Sequence, residues 1–139
     1  MKFAIGIHNH QPVGNFDSVV EEAYQLSYWP FLQAFAKHEE LKLNLHNSGP
    51  VWDFVVKHHP EYVALVKKLV AEGRLELLTG GYYEPIMPII PEEDRVGQIR
   101  KLSRFLTEEL GAKPLGMWLA ERVWEPHLPK SLARAGVQW

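Results

Sequence analysis

Four places in this sequence set imidazoles, carboxylates and aromatic rings directly after short apolar runs. They are His8, His10 and Gln11; His46 and Asn47; Gly80-Gly81-Tyr82-Tyr83-Glu84-Pro85; and Trp118 with Glu121-Arg122-Val123-Trp124-Glu125-Pro126. Glycoside hydrolysis asks for these residue types: one carboxylate ionised to attack or stabilise, one kept protonated as acid, and aromatic faces to stack on sugar rings. Glu84 follows a Gly-Gly bend that lets the backbone approach a ligand, and Glu121 ends the run Met117-Trp118-Leu119-Ala120. Either carboxylate could instead pair with an arginine such as Arg122, and Tyr82, Tyr83, Trp118 and Trp124 could belong to the core. His8 and His10 stand two apart, so on an extended strand they share a face. With His46 and a carboxylate they could also form a metal site for a hydrolase or deacetylase working through activated water. His38, His58, His59 and His127 are expected in surface or capping roles.

The elements that must position these groups follow a β-α rhythm. Apolar runs of strand character are expected at 3–7, 41–45, 75–78, 116–120 and 137–139. Ser18-Val19-Val20-Glu21 fits a capping box that would open the first helix, and Pro30 should kink or restart it. Pro50 and Pro60 fit first helical turns, and Tyr62, Leu65 and Leu69 form a stripe that stops near Gly73. Pro91-Glu92-Glu93-Asp94 opens the most regular helix, with Ile99, Leu102, Leu106 and Leu110 on one face and Gly111 after it. Residues 130–135 form a last helix before Gly136. Near-continuous apolar strands alternating with helices predict an α/β fold with a parallel sheet, doubly wound or barrel. In such folds ligands gather beyond the carboxyl ends of the strands, where all four polar clusters fall. A β-α barrel takes about 250 residues, so these 139 residues are expected to be an N-terminal portion of one.

Composition narrows the options. Hydrophobic residues make up 46% and charged residues 23% of the chain, values of a folded domain rather than a disordered one. Fifteen Lys and Arg against seventeen Asp and Glu leave no basic footprint for nucleic acid. The sequence has no cysteine, which removes disulfides, thiolate nucleophiles and Cys-based zinc sites. No apolar run approaches the roughly 18 residues of a membrane helix, and the N-terminal apolar stretch is too short for a signal-peptide core. A cytoplasmic protein is expected.

His8-Asn9-His10-Gln11-Pro12, Gly73 to Leu78, Gly80 to Pro85 and Trp118 to Pro126, in this order and spacing, resemble glycoside hydrolase family 57. The resemblance runs the length of the chain and is nearest to the 4-α-glucanotransferases and α-amylases. It implies a retaining enzyme acting on α-1,4-glucans or maltooligosaccharides, built on an incomplete (β/α)7 barrel of which 1–139 would be the first half, with parallel strands alternating with helices. It implies Glu121 as catalytic nucleophile and His8, His10, Gln11, His46, Glu84, Trp118 and Trp124 as substrate-binding residues, with no metal and no cofactor. The family's general acid, an Asp, would lie beyond residue 139, since Asp17, Asp53 and Asp94 stand in no matching context. The isolated chain would then be inactive, need the C-terminal remainder of the barrel, and tend to self-associate through exposed edges. A non-catalytic glucan-binding fragment is the other reading.

Overall fold

The computed structural model describes residues 4–139. Three parallel strands, β1 (Gly6–Asn9), β2 (Leu43–Asn47) and β3 (Leu75–Leu77), form one sheet in the order β1-β2-β3. Between β1 and β2 runs a single long helical segment, α1 (Asp17–Ala23), a π turn over Tyr24–Tyr28, and α2 (Trp29–Ala36). The widened turn has a local cause. Pro30 has no N–H to return to the preceding turn and its ring crowds the carbonyl four residues back, so the Trp29 N–H reaches to the Tyr24 carbonyl instead. Two helices, α3 (Gly49–His58) and α4 (Pro60–Ala71), join β2 to β3, each with proline in its first turn. The long α5 (Glu92–Leu110) follows β3, opens on three acids and ends at Gly111, whose φ of 67° is the left-handed value that favours glycine at a helix stop. A short α6 (Leu128–Arg134) comes last.

Helix periodicity dictates the core. Trp52 and Val55 of α3, Tyr62, Val66 and Leu69 of α4, and Leu102, Leu106 and Leu110 of α5 fall at three- and four-residue steps and are buried against Leu43, Leu45, Leu75 and Leu77 of the sheet. Full burial of such side chains stabilises by about 1.5–3 kcal/mol each. Met87, Ile99 and Leu128 make a smaller cluster under α6.

β1 and β2 end two residues later than the apolar runs predict, and β3 ends one residue earlier. β1 and β2 extend into the polar dipeptides His8-Asn9 and His46-Asn47, because the neighbouring ladder continues to hydrogen-bond the backbone whatever the side chain. Phe3, the expected start of the first run, lies outside the described residues. The capping box at Ser18 does not form: the helix begins at Asp17 with Phe16 before it and no side-chain cap. The fourth and fifth runs do not become full strands. Met117 pairs with Thr79 as a single parallel bridge, and Leu115 and Met117 meet Gln138 and Trp139 through backbone hydrogen bonds of 2.8 and 2.9 Å. Both runs continue the sheet, with too few successive bonds to extend a ladder. Among the described residues no helix is long and apolar enough to cross a membrane.

Candidate functional site

Parallel pairing of β1 with β2 puts His8 beside His46 and Asn9 beside Asn47. Alternation along the strands then sends the two histidines to one side and the two asparagines to the other. The amides anchor the strand ends: Asn9 Nδ2 donates to Asn47 Oδ1 at 2.9 Å, and Asn47 Nδ2 donates to the Tyr62 hydroxyl at 3.1 Å, all buried. The imidazoles meet through their Nδ1 atoms, 2.9 Å apart, so one Nδ1 donates and the other accepts. The repeated His-Asn dipeptide at two strand ends was the visible signal for this paired ladder.

The loop after β3 delivers a carboxylate onto the imidazoles. Gly80 passes so close to His46 that a Cβ there would stand 2.6 Å from Nε2. A tight turn from Gly81 then places Glu84 with a φ of 50°, and its side chain is 4% exposed. Glu84 Oε2 is hydrogen-bonded to His10 Nδ1, while Oε1 faces His8 Nε2 at 3.5 Å and His46 Nδ1 at 3.7 Å without a hydrogen-bond partner. Trp118 stacks on His8, its ring 4.8 Å away and 13° from parallel.

Burial and charge tune this group. Burial, reinforced by the positive charge available on His8 and His10, pushes the His46 imidazole down to about 3, so it is neutral near pH 7. His8 is lowered by its own burial and by His10, while the negative charge of Glu121 acts on it in the opposite sense. The sign for stability follows from linkage. A histidine held below its ordinary 6.5 binds its proton more readily in the unfolded chain, so stability falls as pH drops from 6.5 towards 3. Well inside that window the loss from one such group approaches about 1.4 kcal/mol per pH unit. His46→Gln is expected to flatten this acid limb in urea titrations at pH 7 and pH 4.5; an unchanged limb would mean that His46 titrates normally.

Glu121 and Arg122 have φ of 53° and 55° within a turn over Ala120–Arg122. With Glu84 they are the non-glycine residues at positive φ among those described, and strain of about 1–3 kcal/mol each clusters around one rim. Nothing in the local sequence announces it. Glu121 is solvent-exposed, within electrostatic reach of His8.

The other expected site residues are distributed differently. Gln11 is buried and committed on both ends, donating to the Tyr28 hydroxyl at 2.9 Å and accepting from Asn15 at 2.6 Å. His46 is wholly buried and reaches the rim through His8 and Glu84. Trp124, 56% exposed, lies over a cleft of about 340 Å³ shared with Leu119, Leu132 and Trp139. His59, expected at the surface or in a capping role, takes the capping position, as C-cap of α3 and N-cap of α4, and is not at the surface. It is buried where α3 meets α4, its ring nitrogens 2.7 Å from Glu21 and 3.0 Å from Glu61, with Tyr24 stacked at 3.6 Å. Two carboxylates and an aromatic face offset the cost of covering a polar ring, and no spacing in the sequence brings Glu21 near His59.

Comparison with known proteins finds relatives of this chain. The family model of glycosyl hydrolase family 57 matches residues 4–139. An α-amylase 1 of Dictyoglomus thermophilum is 51% identical over 137 residues, 99% of this chain and 20% of that protein. A 4-α-glucanotransferase of Thermococcus litoralis is 45% identical over 139 residues, all of this chain and 21% of the relative. Its crystal structure superposes with a TM-score of 0.94 over 97% of this chain and 21% of its own. The chain therefore spans about a fifth of the length of these relatives.

Proposed function

The chain belongs to glycosyl hydrolase family 57, and on that footing we propose that it is the N-terminal part of a (β/α) barrel that acts on α-1,4-glucans with retention of configuration. Relatives named α-amylase and 4-α-glucanotransferase support hydrolysis or transfer as the outcome. One observation carries the reading: the buried Glu84 carboxylate is hydrogen-bonded to His10 and faces His8, whose ring stacks on Trp118, so polar groups and an aromatic face meet at one rim.

In this mechanism Glu121 attacks the anomeric carbon while an acid protonates the departing sugar oxygen. Water or a glucan 4-hydroxyl then displaces the glucosyl group from Glu121. Retention requires the two carboxyls about 5 Å apart, and the acid is an Asp beyond residue 139. His8, His10 and Glu84 hydrogen-bond sugar hydroxyls, and Trp118 offers an aromatic face. Polar groups so placed select for hydroxyl-bearing ligands, because each is left unpaired by an analogue without them.

Completion by the rest of the barrel is supported by Leu26, Ile89, Trp124 and Trp139, all more than half exposed. The isolated 139 residues then self-associate and turn over no maltooligosaccharide. The decisive experiment incubates full-length protein with an α-glucosyl fluoride and maps any covalent sugar by mass spectrometry. A glucosyl adduct on Glu121 is expected; an adduct on another carboxylate, or full turnover with inverted product, would overturn the assignment.

A further inference from the structure

We propose that His8, His10 and Glu84 also form a binding site for a divalent transition-metal ion of the zinc type. Their ligand atoms lie within 4.8 Å of one another, near enough for one ion to touch all three after small side-chain rotations. Two imidazole nitrogens and a carboxylate oxygen are a donor set that zinc accepts, and three protein ligands leave a position open for water or a hydroxyl. The nitrogen majority disfavours Mg²⁺ and Ca²⁺, which take oxygen.

A separate observation points to a cation. If His8 donates from Nδ1 to His46 across their 2.9 Å contact, its Nε2 turns a lone pair towards Glu84 Oε1 at 3.5 Å. That oxygen is buried and has no hydrogen-bond partner. Two electron pairs then face each other across a gap that one cation would bridge. The surroundings are those of a metal ligand whose second nitrogen is held: His46 fixes the His8 tautomer from behind, and Trp118 fixes the plane of the ring. The loop after β3, with Glu84 at a φ of 50°, brings the carboxylate up to both imidazoles.

This site uses the side chains that the sugar reading turns towards glucan hydroxyls, and it is tested separately by metal content. Chelator-stripped full-length protein, equilibrated with zinc chloride and passed through a desalting column, is expected to retain one zinc per chain by plasma mass spectrometry. In calorimetric titrations with zinc chloride, His10→Ala and Glu84→Gln should each weaken binding at least about 10-fold, with His38→Ala unchanged and no heat from magnesium or calcium chloride. Circular dichroism melts check folding; should His10→Ala unfold, the near-isosteric Glu84→Gln carries the test. No retained zinc, or zinc indifferent to both substitutions, overturns the site. Glucan conversion by stripped protein that retains no zinc overturns the metal site and leaves the sugar reading standing. Zinc retention with no glucan conversion by either the zinc-loaded or the stripped protein supports the site and overturns that reading; conversion by the stripped protein alone supports both, since ion and sugar compete for the same side chains.

Discussion

Glu121→Gln in the full-length protein is expected to lower kcat/KM for maltooligosaccharides at least about 10,000-fold, a barrier increase of about 5 kcal/mol. Gln keeps the shape and removes the charge that would bond to the anomeric carbon. Because Glu121 is exposed on a turn, melting should shift little, which separates loss of chemistry from loss of fold. Glu121→Ala should open space for a small anion, and added azide is expected to restore part of the turnover as a β-glucosyl azide. A fall of less than 10-fold, or no azide product, would remove Glu121 from the nucleophile's place.

A second large effect is expected far from any reacting atom. A Cβ on Gly49 would stand 2.2 and 2.3 Å from the Tyr82 ring and 2.5 Å from the Tyr82 carbonyl oxygen. Neither neighbour can withdraw easily. That carbonyl accepts the Gly49 N–H at 2.8 Å, and the Tyr82 hydroxyl is tied to Asp53 at 2.5 Å. Overpacking commonly costs about 1–3 kcal/mol, and a clash with backbone belongs at or above the top of that range. Gly49→Ala should lower Tm by roughly 10 °C and weaken glucan binding too, since Tyr82 stands two residues before Glu84 on the same loop. Gly97→Ala is the contrast. Its Cβ would meet nothing within 4 Å on the exposed face of α5, so a small gain of about 0.5–1 kcal/mol is expected. Equal melting of the two variants would show that the Tyr82 loop is free to move.

Much of this was legible in the residues because strand ends and helix faces obey short periods. The polar clusters after the first three strands and the parallel order of those strands follow from apolar runs alternating with stripes such as Ile99, Leu102, Leu106 and Leu110. The meeting of His8, His10 and Glu84 follows from parallel topology. What escaped depends on contacts between distant segments. Gln11 looks like a rim residue until Tyr28 and Asn15 take both ends of its amide. The role of His59 is invisible without Glu21 and Tyr24 brought against it. The runs at 116–120 and 137–139 have strand composition, yet a ladder needs partners along its whole length, and these find only isolated bonds.

The left-handed backbone at Glu84, Glu121 and Arg122 bears on how this protein can drift over generations. Val, Ile and Thr tolerate that conformation worst, while Gly, Asn and Asp tolerate it best. Glycine would relieve the strain but discard the side chain, so at these positions the changes that improve thermostability are the ones that erase chemistry. Selection for heat resistance alone would thus convert this rim into an inert loop, and its persistence in a thermally selected library would itself report that the reaction was under selection.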